Sequence, residues 1–563
     1  MFIMTNRSKT ILFLAALLLL VIWEIVVPES IEPIVRSPGV GSLLPPLIAI
    51  AMALITREVI LSIFSGIWIG TTILSGYHPI QGLTTALDTY LVHSLGDTNH
   101  ATIILFSLGF GGIIGVVGAN GGMKGIVKKA SQYAHSARSS QMATMLMGVL
   151  IFFDDYANTL FVGNMMRPFT DKFKVSREKL AYLVDSTAAP VASLAVISTW
   201  SVFQMSLLES SYNQFGITHS PYITFLKSIP FSFYCILTII FMFFLLLSRR
   251  DYGQMLKAER RARFEGKVLA DDAIPLSNTG LSGNKKLMVQ STHWSNAMIP
   301  IVVVICVTLI GLFVTGKNGL RTGVEPTVRN IIGASNSYAS LMWGSFIAGF
   351  TAIILSMLKG ILTLRKAIEA WLAGVHSMVL ACIVLVLAWC LGEICADVLT
   401  ADYLLDKTRS FLSPALLPAV TFVSAALISF STGTSWGTMS ILVPIIVPML
   451  LKMAEGDPNS IVGEPLFLST FAAILSGAVF GDHCSPISDT TILSSMASGS
   501  DHIDHVRTQF PYAITIGIIS ILCGYLLVGF GVPWFLMISV GCGAVVAAVW
   551  LFGKPVRDVT QYN

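Results

Sequence analysis

Apolar runs long enough to cross a lipid bilayer recur along almost the whole chain. Of its 563 residues, 54% are hydrophobic and only 12% are charged, which is about half the charge of a soluble domain. A bilayer core of about 30 Å requires a helix of roughly 20 apolar residues. The one long polar stretch, residues 248–295, is too short and too charged to form a core of its own. The sequence therefore predicts an all-α polytopic membrane protein.

Twelve segments are predicted to cross the membrane. They lie near residues 11–28, 42–56, 58–76, 101–119, 180–207, 226–248, 295–315, 338–358, 371–397, 466–495, 511–530 and 533–552. Two further apolar segments, 141–166 and 414–451, do not fit as simple crossings. Basic clusters flank the first on both sides, and a crossing would place one cluster outside, against the positive-inside rule. We therefore expect a re-entrant hairpin at each of these two segments.

The distribution of basic residues predicts the orientation and the domain boundaries. With both hairpins in place, 27 of the 35 Lys and Arg lie on one side, which the positive-inside rule assigns to the cytoplasm. Both termini are then cytoplasmic, in a multi-pass protein of the cytoplasmic (inner) membrane. The predicted parts are an N-terminal transmembrane helix with an outer loop (1–40), a first repeat (41–248), a solvated cytoplasmic basic linker (249–294), a second repeat (295–552) and a cytoplasmic tail (553–563).

A polar segment interrupts an apolar stretch late in the chain. Residues 481–491 read Gly-Asp-His-Cys-Ser-Pro-Ile-Ser-Asp-Thr-Thr between two apolar runs. A charge inside the bilayer is expensive, so it marks a substrate or ion pathway. Pro486 removes a backbone donor and breaks a helix, and in lipid a broken helix persists only inside protein or beside a wet cavity. The segment therefore indicates transport.

The two halves of the chain carry the same parts in the same order. Each has a helix with glycines, then a hairpin (141–166 or 414–451), then a broken helix (180–207 or 466–495). Asp185 lies five residues before Pro190, and Asp482 lies four residues before Pro486. In this threading the first hairpin opens from the cytoplasm and the second from outside. Repeats of opposite topology with interrupted helices are typical of secondary transporters.

Three motifs carry a resemblance to a known family. FFDDYANTLFVG (152–163), SFSTGTSWGTM (429–439) and FGDHCSPISDTTILSS (480–495) strongly resemble the NhaC family of sodium/proton antiporters, which includes sodium-linked malate/lactate antiporters and belongs to the ion-transporter superfamily. The resemblance covers roughly residues 40 to 550. It implies a homodimer of the elevator type, in which two hairpins and two broken helices slide against a scaffold.

Oxygen-bearing side chains in these motifs suit a sodium ion. Sodium is a hard cation and prefers carboxylates, hydroxyls and free backbone carbonyls. A carboxyl group in a low dielectric holds its proton more firmly than in water, so one Asp can carry either a proton or, once ionised, a sodium ion. Such mutual exclusion is the simplest basis for antiport. As sodium ligands we predict Asp155, Asp482 and Asp489.

Several of these residues have two possible roles. Of Asp154 and Asp155, one is expected to face the site and the other to cap the second arm of the hairpin. Asn158 offers either an amide oxygen to the ion or an interhelical hydrogen bond. Asp482 and Asp489 bracket the break and either bind the ion or cap the two half-helices.

The remaining candidates are an imidazole, hydroxyls and one further acid. His483 either shuttles protons or is a buried neutral donor. Hydroxyls in membrane helices often bond back to the preceding turn, so they count here only as a converging group. The full predicted ion- or substrate-binding set is Asp154, Asp155, Asn158, Asp185, Ser186, Thr187, Thr432, Thr434, Ser435, Asp482, His483, Ser485, Ser488, Asp489, Thr490 and Glu393. No further Cys or His recurs at a zinc-ligand spacing, and we expect no cofactor and no catalytic residues.

The sequence favours a secondary active transporter that exchanges sodium for protons. The alternative is a sodium- or proton-coupled exchanger of a small organic anion or amino acid, such as malate or lactate. The midplane motifs contain no Lys or Arg, which favours ions alone, but half-helix N-termini can hold an anion without a basic side chain. An aspartyl protease does not fit, because Phe-Gly-Asp-His is not its Gly-x-Gly-Asp pattern, and two gated hairpins do not suit a passive channel. The basic residues are dispersed over membrane loops, so no nucleic-acid partner is expected.

Overall fold

The structure is a computed structural model that describes residues 39–56, 58–131, 135–275, 293–320, 326–328, 331, 334–408, 413–454 and 457–556. The predicted crossing at 11–28 lies outside these residues. The described chain is α-helical apart from one short antiparallel ladder, in which β1 (Arg250–Asp251) pairs with β2 (Lys554–Pro555).

The α-helices of this part of the chain are defined as follows. They are α1 (Leu44–Thr56), α2 (Val59–Leu74), α3 (Pro79–Thr85), α4 (Val92–Gly96), α5 (Thr98–Ala119), α6 (Gly122–Ser131), α7 (Ala137–Leu150), α8 (Asp155–Lys172), α9 (Arg177–Thr187), α10 (Ala189–Leu194), α11 (Thr199–Phe215), α12 (Pro221–Ser228), α13 (Phe233–Ser248), α14 (Gly253–Arg260), α15 (Ser295–Gly319), α16 (Ser337–Leu358), α17 (Leu364–Asp397), α18 (Thr400–Thr408), α19 (Leu417–Thr432), α20 (Ser435–Lys452), α21 (Pro465–Cys484), α22 (Asp489–Ser498), α23 (His502–Ser520), α24 (Leu526–Val528) and α25 (Trp534–Phe552). Single 3-10 turns lie at Val40–Leu43, Ile229–Phe231, Pro414–Leu416 and Pro458–Ser460, and π turns lie at Ala86–Leu91, Arg261–Glu265 and Ile521–Tyr525.

Nine helices in the described residues are long and apolar enough to cross a bilayer, or up to twelve if each of three bent pairs forms one span. The prediction of a polytopic helical membrane protein is therefore supported, while the exact number of crossings stays a prediction. Two differences stand out near the start. The crossing predicted at 42–56 corresponds to α1, whose 13 residues extend only about 20 Å. The segment between the crossings predicted at 58–76 and 101–119 contains helix, since Pro79–Gly96 follows α2 at an angle of 115°.

Helix–turn–helix units occupy both segments for which the sequence predicts hairpins. The first hairpin consists of α7 and α8, and the second of α19 and α20. The second turn depends on Gly433, whose φ of +71° is in the left-handed region. A Cβ added to Gly433 would lie 2.6 Å from the carbonyl oxygen of Ile487, which no side chain tolerates. This glycine therefore lets the hairpin tip lie directly against the break of the second broken helix.

The two helix breaks differ from each other. The second lies where the sequence predicts it, at residues 485–488 between α21 and α22. In the first repeat the helix is interrupted at Ala188, within the predicted segment 185–190, and a second, extended break lies at residues 195–198, between α10 and α11. Pro190 occupies the first turn of α10. A proline there loses no helical hydrogen bond and starts a helix.

The two glycine-bearing helices, α5 of the first repeat and α17 of the second, pack directly against each other. A Cβ on Gly115 of α5 would lie 2.1 Å from the carbonyl oxygen of Ala370, and one on Gly374 of α17 would lie 2.0 Å from that of Gly111. Helices approach at backbone distance only where such small residues meet. The helices α5, α15, α16 and α17 thus form one packed layer, and the hairpins and broken helices form another.

The first part of the basic linker is packed against the protein, which corrects the prediction of a solvated segment. Asp251 is 4% exposed and Glu259 is 1% exposed. Lys179 of α9 is fully buried and donates to Asp251 at 2.6 Å. Glu259 accepts bonds from the backbone N–H and the hydroxyl of Ser176, both at 2.8 Å. These contacts join the linker to the start of the first broken helix.

Candidate functional site

Asp482 connects the second hairpin tip with both halves of the second broken helix. It lies in the last turn of α21 and is 2% exposed. Its Oδ2 accepts hydrogen bonds from the hydroxyls of Ser435 at 2.8 Å and Thr490 at 3.3 Å. Its Oδ1 has no hydrogen-bond partner among the described residues. One carboxylate oxygen is therefore fixed and the other remains available to a ligand.

Asp154 and Asp155 at the first hairpin tip are in different environments. Asp154 caps α8, because its Oδ1 accepts from the backbone N–H of Ala157 at 2.8 Å, and its Oδ2 accepts from the hydroxyl of Thr199 at 3.2 Å. Asp155 is 1% exposed, and in the described chain neither of its oxygens has a partner. A buried carboxylate without hydrogen bonds is costly when charged. Asp155 therefore needs either a proton or a cation.

Asn158 fastens the first hairpin to the end of α9. Its amide nitrogen donates to the carbonyl oxygens of Gly148 (2.6 Å), Ile151 (3.1 Å) and Thr187 (2.9 Å). These carbonyls lie at the ends of α7 and α9, where no helical donor follows them. Its Oδ1 is buried and has no partner among the residues described. The side chain thus makes the interhelical bond and still presents an oxygen.

Asp185 has a complete set of polar partners. Its Oδ1 accepts from Ser494 at 3.2 Å, and its Oδ2 accepts from Thr491 at 3.1 Å and from the amide nitrogen of Gln509 at 2.6 Å. His505 Nε2 lies 4.0 Å from the same oxygen. Sequence reasoning missed Thr491, Ser494, His505 and Gln509. The available signal was the pair His505 and Gln509, four residues apart in the polar first half of α23 and bonded to each other.

Both ring nitrogens of His483 are hydrogen-bonded. Nε2 lies 3.1 Å from the hydroxyl of Ser186, and Nδ1 lies 2.7 Å from the hydroxyl of Tyr234. The ring is 4% exposed. Each ring nitrogen thus has a hydroxyl partner, and hydroxyls can donate or accept, so both predicted roles remain open.

Asp489 lies at the start of α22 and accepts a hydrogen bond from the hydroxyl of Tyr156. Its charge acts on both Asp155 and Asp482, so the three predicted sodium ligands share one electrostatic environment. Within the described residues, however, no three His, Cys, Asp or Glu side chains lie close enough together to hold one metal ion. The three acids are therefore not gathered into a single coordination shell here, because Tyr156 holds Asp489.

The predicted hydroxyls divide into three groups. Thr187 and Thr432 bond back to carbonyls of their own helices, at 2.8 and 2.9 Å. Thr434 and Ser488 cap α20 and α22. Those that connect different elements are Ser186, Ser435, Ser485, which donates to the carbonyl of Phe430 at 2.7 Å, and Thr490. Among these, Ser435 and Thr490 donate directly to Asp482, and Ser488 also interacts with its carboxyl group.

Glu393 does not join this constellation. Its side chain is 37% exposed and bonds to Nδ1 of His93 at 3.0 Å. Both residues line a separate pocket at the C-terminal end of α17. Glu393, although predicted as a site residue, therefore lies outside the group formed by the hairpin tips and the broken helices.

Comparison with known proteins identifies the family. The sequence pattern described as the Na+/H+ antiporter family matches residues 191–530. The chain belongs to the Na+/H+ antiporter family. This confirms the resemblance seen in the three motifs, of which the second and third lie within the matched residues.

Relatives in sequence agree with this membership, and a solved transporter structure shares the fold. The chain is 32% identical over 523 residues to an uncharacterized protein of Haemophilus influenzae, covering 91% of this chain and 96% of that protein. It is 36% identical over 120 residues to the malate-2H(+)/Na(+)-lactate antiporter of Bacillus subtilis, covering 21% of this chain and 23% of that protein. In structure it resembles the YdaH transporter of Alcanivorax borkumensis, with a TM-score of 0.53 and 14% identity, covering 80% of this chain and 90% of that one. The chain is therefore a multi-pass secondary transporter and not an enzyme.

Proposed function

We propose that this antiporter exchanges sodium for protons across the cytoplasmic membrane. The observation that supports this best is a set of buried oxygens without hydrogen-bond partners in the described chain: both carboxylate oxygens of Asp155, Oδ1 of Asn158 and Oδ1 of Asp482. Buried polar atoms normally have partners. Oxygens left without donors, near several carboxylates and no Lys or Arg, suit an alkali cation.

Asp155 is the proposed exchanging group. With a proton bound it is neutral, and burial without partners then costs far less than burial of the charged form. Once ionised it needs a cation, because an uncompensated buried charge costs far more. Proton and sodium therefore exclude each other at this carboxyl group. Asp482 would add a second oxygen from the opposite side, held in position by Ser435 and Thr490.

Tyr156 and Asp489 are proposed to lie on the route to this site. Asp489 is exposed, whereas its neighbour across the tip, Asp155, is buried. The hydroxyl of Tyr156, the residue that follows Asp155, donates a hydrogen bond to Asp489 and so occupies it. Breaking this bond would free a carboxylate at the mouth of the site, where it can accept a proton or an incoming cation.

We further propose that the two hairpins are re-entrant, that both termini are cytoplasmic, and that a homodimer operates as an elevator. Supporting this, the hairpins and broken helices pack together and face a layer in which α5 and α17 are joined at backbone distance. A group of hairpins and broken helices beside a closely packed layer suits rigid-body movement of one against the other.

Exchange of a small organic anion is the second candidate, suggested by the malate- and lactate-transporting relative. An anion would need free backbone N–H groups at the half-helix N-termini. Three such termini meet near the site, and capping side chains occupy each: Asp154 at α8, Thr434 at α20 and Ser488 at α22. This favours ions alone.

Flux in proteoliposomes that contain a pH-sensitive dye tests both candidates. With the unaltered protein, sodium added outside the vesicles should change their internal pH. This pH change should vanish in Asp155→Asn and in Asp482→Asn. Asp406→Asn, an exposed acid paired with Lys407, is the matched control and should retain the flux. No sodium-driven pH change at neutral or alkaline pH would contradict simple antiport. Recovery on addition of malate, lactate or an amino acid would establish the second candidate instead.

A further inference from the structure

Two histidines at the start of α23 share one serine hydroxyl. Nδ1 of His502 lies 3.1 Å from Oγ of Ser495 in α22, and Nδ1 of His505 lies 2.8 Å from the same oxygen. His505 and Ser495 are fully buried, whereas His502 is half-buried. The cluster therefore connects the protein surface with the interior.

The other nitrogen of His502 carries a hydrogen. Its Nε2 lies 2.6 Å from the carbonyl oxygen of Pro486, in the break of the second broken helix. A carbonyl oxygen can only accept, so Nε2 is the donor, and Nδ1 of the neutral ring is then a bare acceptor.

The same argument applies to His505. Its Nε2 lies 3.0 Å from Oε1 of Gln509. That atom is the oxygen of the amide, because the amide nitrogen lies 2.6 Å from two acceptors, Oδ2 of Asp185 and the carbonyl oxygen of His483. Nε2 of His505 therefore donates, and Nδ1 of its neutral ring is also a bare acceptor.

The hydrogens in this cluster are too few for its contacts. Oγ of Ser495 has one hydrogen, and it also lies 2.8 Å from the carbonyl oxygen of Thr491. With both rings neutral, this single hydrogen faces two bare nitrogens and a carbonyl oxygen. At least one ring nitrogen then lies against the hydroxyl oxygen without a hydrogen between them, which forfeits a hydrogen bond. One added proton supplies the missing hydrogen.

We propose that His502, Ser495 and His505 form a proton-binding site that carries protons between the surface and the buried surroundings of Asp185. A proton bound at Nδ1 of His502 passes to Oγ of Ser495, while the hydroxyl hydrogen passes to Nδ1 of His505. One N–H bond breaks, another forms, and the hydroxyl is regenerated. The positive charge then lies on a ring whose Nε2 is 4.0 Å from Oδ2 of Asp185.

The surroundings of the two rings indicate where the proton rests. The titratable groups that face them are Asp501, which caps α23 beside His502, and Asp185 and His483, which lie near His505. Burial disfavours a charged ring, so the proton rests on the half-buried His502 and visits His505 in passing. The route rests on the proposed proton exchange, whereas the proton-binding site can be tested without transport.

Deuterium exchange at the ring carbon between the two nitrogens, followed by mass spectrometry, gives a titration midpoint for each histidine of the purified full-length protein in detergent. His505→Gln keeps a donor toward Gln509 and removes Nδ1. The hydroxyl of Ser495 can then donate to neutral His502, so the midpoint of His502 should fall by about one pH unit. Two rings that only repel each other as like charges would give a rise instead. An unchanged or raised midpoint would overturn the proposal.

A second pair of variants tests the shared hydroxyl. In a Ser495→Ala background, His505→Gln should move the midpoint of His502 by less than about 0.3 pH unit, because the two rings no longer have a common partner. Ser539→Ala, which removes an exposed hydroxyl bonded to a carbonyl of its own helix, should leave the full shift. Size-exclusion elution and the thermal midpoint check the fold of each variant. The full shift in the folded Ser495→Ala background would refute the role of the hydroxyl.

Chemical rescue tests the route. In proteoliposomes at alkaline pH, where protons are scarce, His502→Ala should lower the sodium-driven pH change about tenfold, since a proton carrier is lost. Imidazole added to the buffer should restore part of it, and the control His293→Ala, at an exposed histidine, should retain it. Unchanged flux in His502→Ala, or a loss that imidazole does not restore, would overturn the route. Absence of flux in the unaltered protein would contradict the proposed exchange alone, because the titration decides the proton-binding site by itself.

Discussion

Replacing one buried lysine is expected to release the linker from the transport machinery. Nζ of Lys179 donates to Asp251 at 2.6 Å, and Asp251 also accepts from the hydroxyl of Tyr512 at 2.6 Å. The lysine side chain is fully buried, and that of Asp251 is 6% exposed. In Lys179→Met the carboxylate of Asp251 would stay buried without its counter-charge. Breaking a buried pair in this way costs about 3–5 kcal/mol.

This free-energy cost predicts how much faster a protease should cut the linker. Each 1.4 kcal/mol changes an equilibrium about tenfold, so the released population should rise by a factor on the order of 10² to 10³. Cleavage of a transiently opened segment follows the population of the open form when opening is fast. Trypsin should therefore cut after Arg260 and Arg261, the pair that ends α14, faster by that factor until the segment is fully open. Mass spectrometry of the fragments gives the rate.

Two variants distinguish this explanation from a general loss of stability. Arg365→Met breaks an exposed pair with Glu369 and should change the rate by less than about fivefold, because surface pairs contribute about 0–1 kcal/mol. Lys179→Met/Asp251→Asn removes both charges and should recover most of the protection. Cleavage of Lys179→Met within threefold of the unaltered protein would refute the buried-pair reasoning.

Three further predictions concern other parts of the structure. Gly433→Ala should lower the thermal midpoint and the sodium-dependent flux, because its Cβ would meet a carbonyl 2.6 Å away at a φ that costs about 1 kcal/mol for alanine. Gln509→Leu should destabilise the protein by about 1.5–3 kcal/mol, since Asp185 loses a charged hydrogen bond of 2.6 Å, and thermal unfolding measures this. Burial, reinforced by the charge of Asp251, raises the pKa of Glu259 in the linker. Linker docking should therefore be strongest below the ordinary pKa of a glutamate and weaken as the pH rises through the raised value. Trypsin cleavage normalised to Glu259→Gln should increase with pH, and a constant ratio would contradict this assignment.

The sequence was sufficient for features that local chemistry determines. Alternation of apolar runs and basic loops predicts the membrane helices, and Asp154 was one of two residues named as a cap. The second break is readable because Pro486 falls outside the helical turn that follows it, which Ser488 caps. The extended break of the first repeat is not readable in this way, since Pro190 begins a helix and residues 195–198 contain no Gly or Pro.

Tertiary pairing explains the other differences. Asp185 receives its amide bond from Gln509, 324 residues further along the chain, and no local pattern indicates which helix supplies it. The linker is charged and reads as solvated, yet its charges find partners on α9 and α23. Helix propensity and composition predict neither the pairing of Asp185 with Gln509 nor the packing of the linker. Whether a charge is buried depends on which distant segments pack over it.

The break positions also change which residues of the two repeats correspond. Ser198 and Ser488 cap the helices that follow the two breaks, so these two serines correspond. Six residues before Ser488 is Asp482, and six residues before Ser198 is Ala192. Asp482 therefore corresponds to Ala192 and not to Asp185. At the hairpin tips, the residue after the cap is Asp155 in the first repeat and Ser435 in the second. In the second repeat the tip hydroxyl donates to the carboxylate of the broken helix. In the first repeat the carboxylate is that of Asp155 at the tip. The matching residue of the broken helix, Ala192, has only a methyl group, which cannot donate a hydrogen bond. The two repeats thus place the buried carboxylate on different elements, on the hairpin tip in the first repeat and on the broken helix in the second.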